Sequence, residues 1–235
     1  MKSHIYEQFA FRYDEIYGDK FYHDYAVFIK KIIKKNNIKN VRILDIACGT
    51  GKLIKEFTKE YIEIDKIEGL DSSREMIKIA KSRNKGIKFY NQNLINFYTE
   101  KKYNIITCTF DSINYITSKE NLDKVFKNIA NHLDSNGLFI FDFNTIYKKV
   151  KEIITKDNVT YINAIKGKYW NIKIRMKERN NIYKEQHRER LYSLREIKSV
   201  LVKNRFEITE LYSNFDNKIN KTDKYQRLII VAKKI

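Results

Sequence analysis

From residue 5 to residue 36 apolar side chains return every three or four positions. Tyr6, Phe9, Tyr13 and Ile16/Tyr17 form one series, and Phe21, Tyr25, Phe28, Ile29 and Ile32 a second. That is the period of a helix face, so the segment is predicted to be one or two helices, interrupted at Gly18 and ended by Asn36-Asn37. The pattern then changes to short apolar runs separated by helical stretches. Strand 41–47 precedes helix 52–60, and strand 66–70 precedes helix 73–83, with Ser72 or Ser73 as its N-cap. Strand 87–91 follows, strand 103–109 precedes helix 119–133, and Gly137 opens the strongly apolar strand 138–143. Short apolar strands alternating with helices imply parallel βαβ units covered on both faces.

After residue 145 the period drops to two. Segments 158–165, 168–178 and 181–191 alternate polar and apolar residues and read as antiparallel strands. Residues 193–204 (SLREIKSVLVKN) return to a helical pattern, and 206–213 with 225–233 form a closing hairpin. The predicted class is α/β: a doubly wound sheet, mostly parallel with an antiparallel last strand, preceded by helices and carrying a β-rich antiparallel insertion after the fifth strand. Four units follow: a helical segment 1–40, a sheet core 41–145, an insertion 146–192, and a returning helix and terminal hairpin 193–235.

Composition narrows the class. The chain has 235 residues, 43% hydrophobic and 14% aromatic, enough for one sizeable core without staples. Two cysteines, Cys48 and Cys108, and four scattered histidines make neither a disulfide framework nor a zinc site. No apolar run approaches the ~20 residues of a membrane span, and the N-terminus has no apolar signal core. The expected location is the cytoplasm, with no membrane partner. The net charge of +18 sits unevenly: residues 1–145 hold 24 Lys and Arg against 19 Asp and Glu, and residues 146–235 hold 23 against 10. A basic surface for nucleic acid and a general taste for lysine in a chain without proline both account for this, and the second is favoured.

The chemistry lies in ILDIACGTG (43–51) and in the acid of IEGLDSS (67–73). After a parallel strand, Gly49 and Gly51 permit a sharp turn and a close approach of backbone to ligand. Asp71, ending the next strand, is suited to accept hydrogen bonds from the two hydroxyls of a ribose; taken alone it would also serve as a helix N-cap. A dinucleotide fingerprint requires a third glycine where Ile54 stands, and Asp45, four residues before Gly49, would repel a pyrophosphate but suits a cation. S-adenosylmethionine (SAM) carries a sulfonium and an amino group and no phosphate.

DIACGTG resembles motif I of the class I SAM-dependent methyltransferases, a Rossmann-like fold, and the similarity extends over most of the chain. GLDSSREMIKIAK resembles their second motif, which implies Asp71 on the ribose and Met76 near the adenine. YNQNLINF resembles the stretch whose acid meets the adenine amino group; Asn93 stands where aspartate is usual, and its amide oxygen can still accept. The resemblance places Tyr13, Ala47, Cys48, Leu70, Ser72, Gln92, Leu94, Thr109 and Phe110 around the cofactor as well. YEQFAFRYDEIY is similar to the lid of small-molecule enzymes of this class, and the insertion to the substrate-covering sheet of amino-sugar and glycine-type N-methyltransferases. The proline-containing motif of DNA amino-methyltransferases is absent.

CTFDSINYI (108–116) resembles the segment beside the transferred methyl. It brings Asp111, Asn114 and Tyr115 forward as acceptor-side candidates, joined by Tyr183 and His187 from the insertion and by Asn144 at the end of FIFDFN. Asp111 would steer an amine or cap a turn; His187 would be a base or an ordinary buried histidine; Tyr13, Tyr17 and Tyr22 would close the pocket or fill the core. The leading expectation is methyl transfer to a small molecule, at an amine nitrogen, with S-adenosylhomocysteine as product. Behind it stand methylation of tRNA or protein through the basic C-terminal part, and a SAM-binding protein that cleaves, cyclises or senses SAM. Pairing through an exposed strand edge would give a homodimer. Thermal unfolding with SAM, S-adenosylhomocysteine, NAD and ATP in parallel is expected to show a raised midpoint with the first two alone; no shift with SAM would remove the cofactor assignment.

Overall fold

The computed structural model describes residues 6, 9–14, 20–59, 64–156, 158–178, 181–219 and 224–235. Helix α1 (Lys20–Lys35) buries Tyr22, Tyr25, Ala26, Phe28, Ile29, Ile32 and Ile33. Then come β1 (Val41–Ile46), α2 (Lys52–Lys59), β2 (Ile64–Asp71), α3 (Arg74–Arg83), β3 (Lys88–Asn91), β4 (Tyr103–Cys108), α4 (Lys119–His132) and β5 (Leu133–Asn144). Strands β6 (Ile153–Lys156), β7 (Val159–Lys166), β8 (Tyr169–Glu178) and β9 (Asn181–Arg190) precede α5 (Leu194–Lys203), β10 (Phe206–Tyr212) and β11 (Arg227–Lys234).

Seven strands form one sheet in the order β10-β11-β5-β4-β1-β2-β3. β1, β2, β3, β4, β5 and β10 run in one direction, and β11 alone is reversed, lying antiparallel between β5 and β10. The order reverses between β1 and β4, and in such sheets ligands bind outside the carboxyl ends of the strands at that reversal. One face packs on α1 and α2 through Tyr25, Ile29, Ile43, Leu53, Phe57 and Ile140. The other packs on α4 and α5 through Phe126, Ile129, Ile197 and Leu201 against Leu44, Ile106 and Phe139. Each helix end has its reason: Ser73 caps α3, Ser118 caps α4, and Ser193 with Glu196 forms a reciprocal capping box on α5.

The predicted mixed sheet and antiparallel insertion are present, with differences at the margins. The N-terminal segment is less helical than its apolar spacing implies: Ala10–Arg12 is a 3-10 turn, and only Lys20–Lys35 is a full helix. Gly18 and Tyr17 lie outside the described residues. Strand β5 begins at Leu133 rather than 138, directly after α4, because Leu133 already pairs with Tyr103. Strand β6 was not predicted; its four residues are all exposed, so pairing with β7 leaves no alternation to read. Strands β6 to β9 form a second, four-stranded sheet. Its inner side buries Ile172, Ile174 and Met176 with Phe9 of the N-terminal segment, in a small core of its own.

Gly69 lies where β2 passes between β1 and β3, and a Cβ there would meet Ile54 Cδ1 and the Phe89 ring at 2.8 Å. Gly69→Ala is expected to cost about 1–3 kcal/mol through overpacking, read as a lower denaturation midpoint with an unchanged slope.

Candidate active site

The turn after β1 is held by its own backbone and by one acid. Ala47, Gly49 and Gly51 have φ of 54°, 54° and 70°. The Cys48 amide donates to the Leu70 carbonyl at 2.9 Å, which fixes the turn to the end of β2. Asp71 accepts from the Gly49 amide at 3.0 Å and from the Ser73 amide at 2.8 Å. A Cβ at Gly51 would strike Asn84 Nδ2 at 2.7 Å, so that glycine serves packing against α3, whereas one at Gly49 would meet only Met76 Sδ at 4.0 Å. The open side of the turn is therefore at Gly49, between the two acids.

Asp45 is buried on β1 and accepts from Thr107 Oγ1 at 2.6 Å. Burial pushes its carboxyl up to about 7, opposed by the Thr107 hydrogen bond and assisted by the charge of Asp71. Burial likewise raises Asp71, against the amides of Ser73 and Gly49. Two carboxyl groups raised by burial beside a backbone turn favour a ligand that brings positive charge. The N-terminal segment lies over this turn: Asp14 accepts from Thr50 Oγ1 at 2.7 Å and pairs with Arg83 at 2.5 Å, and Ser73 Oγ donates to the Tyr6 carbonyl at 3.3 Å.

After β4 the chain does something costly. Phe110 and Asp111, neither of them glycine, take φ of 59° and 51° in succession, a conformation that costs non-glycine residues about 1–2 kcal/mol each. Asp142 at the end of β5 stabilises it. Its carboxylate accepts from the Phe110 and Asp111 amides, both at 2.8 Å, from Tyr25 Oη at 2.8 Å and from Arg227 Nε at 2.7 Å. The bend aims Asp111 into a cavity of about 660 Å³ between the two sheets, whose lining includes Tyr13, Tyr115, Lys148, Trp170, His187 and Glu189.

The floor of that cavity is a charge cluster. Asn144 Nδ2 donates to Asp111 at 2.5 Å and to Glu189 at 3.2 Å, and Asn144 Oδ1 accepts from Lys148 at 3.1 Å. Lys148 lies 5.0 Å over the Trp170 ring, and Arg227 is 4.0 Å from Asp111 and 2.5 Å from Asp142. Burial raises the carboxyl of Asp111, with Arg227 opposing and Asp142 adding. Burial and the nearby Asp111 raise Glu189, and burial lowers the Lys148 amine. Three carboxyl groups thus meet two cationic side chains. In the cavity wall the Tyr161 hydroxyl is buried with no hydrogen-bond partner among the described residues.

The sequence candidates divide accordingly. Asp111, Tyr115 and His187 meet at the cavity with Tyr13. Asn114 does not: it is fully buried, its amide donating to the carbonyls of Asn144 and Arg190 and its oxygen accepting the Asn144 amide, so its bonding capacity is spent on tying β5 to β9. Tyr183 is not in the lining: it lies on the same face of β9 as His187 but nearer the hairpin end, packing on the small core around Met176 and on Phe11 with centroids 6.4 Å apart. Of the remaining cofactor candidates, Gln92 closes its own loop through both bonds to Tyr98, and Asn93 accepts the Ile95 amide at 2.8 Å. Leu70, Met76 and Thr109 are buried, Leu94 is half-buried, and Ser72 is exposed with its carbonyl bonded by Asn91. Phe110 packs on Tyr22 with centroids 4.4 Å apart, and Tyr22 is buried in the α1 core. Missed were Glu189, Lys148, Arg227, Trp170 and Tyr6. For Glu189 a signal existed: EQHRE puts Glu185, His187 and Glu189 on one side of a strand.

Comparison with known proteins agrees with this geometry. Residues 43–137 match the methyltransferase domain family. The structure of an S-adenosylmethionine-dependent methyltransferase from Clostridium acetobutylicum ATCC 824 is similar at a TM-score of 0.84 and 27% identity, covering 98% of this chain and 99% of that one. A SAM-bound amino pentose methyltransferase from Micromonospora echinaspora shares the fold over the whole of both chains, at a TM-score of 0.76 and 16% identity. The dTDP-3-amino-3,6-dideoxy-alpha-D-glucopyranose N,N-dimethyltransferase of Streptomyces fradiae is 26% identical over 52% of this chain and 47% of its own length. The glycine turn, the two acids and these likenesses define the chain as a class I, SAM-dependent methyltransferase. The residues present fit that cofactor, with Asp45 and Asp71 offering negative charge on either side of the open backbone at Gly49. Among the described residues no helix is long and apolar enough to cross a membrane.

Asp71→Ala removes a charged acceptor as well as the clamp on Gly49. SAM affinity measured by calorimetry is expected to fall at least tenfold, as loss of about 1.5–3 kcal/mol from hydrogen bonds to a charged group implies. Unchanged affinity would take Asp71 out of the cofactor site.

Proposed function

We propose that this methyltransferase acts on a small-molecule amine, held in the cavity between the two sheets and methylated at nitrogen. The observation that carries the reading is a pair of carboxyl groups in the cavity wall, Asp111 and Glu189, joined through Asn144 and both raised by burial, with Lys148 and Arg227 beside them and the other two lining lysines, Lys149 and Lys151, solvent-exposed. An ammonium group supplies positive charge, lowers the raised carboxyl groups of Asp111 and Glu189, and is bound for that reason. A neutral hydroxyl acceptor would leave the pair sharing a proton. The names of relatives point the same way, the Streptomyces fradiae enzyme and the Micromonospora echinaspora structure both being described as acting on amino sugars.

Bound SAM supplies an electrophilic methyl group. The chain's own residues seat the acceptor, orient its nitrogen and exclude water, and in such transfers positioning supplies much of the rate. In this reading Asp111 and Glu189, bridged by Asn144, hold the nitrogen; Trp170 and Tyr161 bound the rest of the molecule; and residues 146–192 act as the cover that shapes the pocket. Residues 1–40 act as the lid over the cofactor, with Asp14 and Tyr6 its points of attachment.

A panel of amines and matched alcohols assayed for S-adenosylhomocysteine release is expected to show turnover of amines alone. Glu189→Gln is expected to raise KM for the best amine about tenfold or more, as loss of a charged partner predicts, with SAM affinity unchanged. Turnover of alcohols in preference, or an unchanged KM in Glu189→Gln, would refute the amine assignment.

A further inference from the structure

The cavity holds a second polar element that seating an ammonium does not require. Alternation along β9 turns Glu185, His187 and Glu189 inward while Lys184, Gln186 and Arg188 stay exposed. Glu185 and His187 are 2% and 4% exposed. His187 Nε2 lies 3.0 Å from Glu185 Oε2, and His187 Nδ1 lies 2.8 Å from the Tyr115 hydroxyl. The Tyr115 hydroxyl is in turn 2.6 Å from that of Tyr6, whose backbone amide donates to the same Glu185 oxygen at 3.1 Å. Three distant parts of the chain converge on one line of hydrogen bonds.

Its direction follows from its end. Glu185 Oε2 accepts the Tyr6 amide, so it is an acceptor for His187 as well, and Nε2 carries the imidazole proton. Nδ1 of the neutral ring then accepts, Tyr115 donates to it, and the Tyr115 oxygen accepts from Tyr6. Facing His187 are Glu185 and Glu189 of its own strand, Tyr115 from the turn after β4, Tyr6 from the N-terminal segment, and apolar Ile172 across on β8. Burying a carboxylate and an imidazole beside Ile172 and Ile174 costs free energy that an apolar pair would avoid, so packing alone gives no reason for them.

Resting on the amine reading above, we propose that Tyr115, His187 and Glu185 form the arm that withdraws a proton from the acceptor, with Tyr115 meeting the nitrogen, His187 storing the proton and Glu185 positioning the ring. An ammonium acceptor has no lone pair until one N–H bond breaks. That proton forms an O–H bond at Tyr115 while Tyr115's own proton passes to His187 Nδ1, and the N–H electron pair stays on nitrogen as the nucleophile. The imidazolium that results is stabilised by Glu185, as in triads where an acid holds a histidine in one tautomer. Protonating Asp111 or Glu189 instead would discharge the ion pair that seats the acceptor. Tyr6 makes the arm depend on the N-terminal segment being in place.

The test uses the full chain labelled with ¹⁵N-histidine. His187 is expected as the Nε2–H tautomer, and in Glu185→Gln that tautomer is expected to lose its bias, since an amide can donate to the ring as well as accept from it. The acid limb of kcat/KM for an amine acceptor is expected to move to lower pH in Glu185→Gln, the opposite charge that favours the imidazolium being gone. Tyr115→Phe is expected to lower kcat at least tenfold with KM for the amine little changed. An Nδ1–H tautomer in the native chain, or superposable ring ¹⁵N spectra and pH–rate profiles in native and Glu185→Gln chains, overturns the arm and leaves the amine reading standing. Absence of amine turnover with the tautomer as expected overturns the amine reading, and the arm with it as a device for an amine, while leaving the Tyr115–His187–Glu185 hydrogen-bond line as described. Should Glu185→Gln not fold, Glu185→Asp, which keeps the charge and withdraws it by one methylene, is expected to change kcat while preserving the tautomer; unchanged kcat there counts against the arm.

Discussion

The buried carboxylate of Asp142 holds the active site together. It lies near the end of β5, between β4 and β11, and accepts hydrogen bonds from Tyr25 on α1, from the amides of Phe110 and Asp111, and from Arg227 on β11. Each of those groups would otherwise bury an unmet donor, which costs about 1–3 kcal/mol. Together they stabilise two consecutive residues in the left-handed region, and that bend turns Asp111 toward the cavity between the two sheets. Helix α1, the turn after β4 and the penultimate strand of the sheet's antiparallel edge are thereby tied to a single atom pair.

From that centre the site divides into two electrostatic environments. Toward β1 and β2, Asp45 and Asp71 flank a backbone turn whose open side is at Gly49, an arrangement that suits a cationic cofactor. Toward the smaller sheet, Asp111 and Glu189 face a cavity with Lys148 and Arg227 beside them and the exposed Lys149 and Lys151 also in its lining. Burial raises all four carboxyl groups, so both halves favour ligands that bring positive charge. The exposed faces of the same strands carry lysine and arginine, and the large net charge of the chain therefore says nothing about the sign of its interior.

The strands and helices were legible because period two and period 3.6 leave different traces, and because ILDIACGTG and GLDSS occur in the order that a strand–turn–helix unit requires. Errors arose where local pattern and packing part company. Asn114 was read as facing the acceptor because it follows β4; its amide is consumed between β5 and β9, which only the return of the chain from the insertion brings together. Tyr183 shares β9 with His187 but stands nearer the hairpin end, beyond the cavity. The four exposed residues of β6 have no pattern at all, since an edge strand paired on one side and bare on both faces has no apolar alternation.

The sequence by itself determined the class of fold, the glycine turn with its two acids, and hence the cofactor. These features are local, each written within a few residues of one strand and its following loop. Tertiary structure decided the charge cluster in the cavity between the sheets. Asp111, Lys148, Glu189 and Arg227 come from four segments up to 116 positions apart, and no spacing along the chain reports that their charges meet. The same is true of Tyr6, Tyr115 and His187. Long-range hydrogen bonds between buried groups form only when the second sheet closes over the first, and their partners are chosen by that closure.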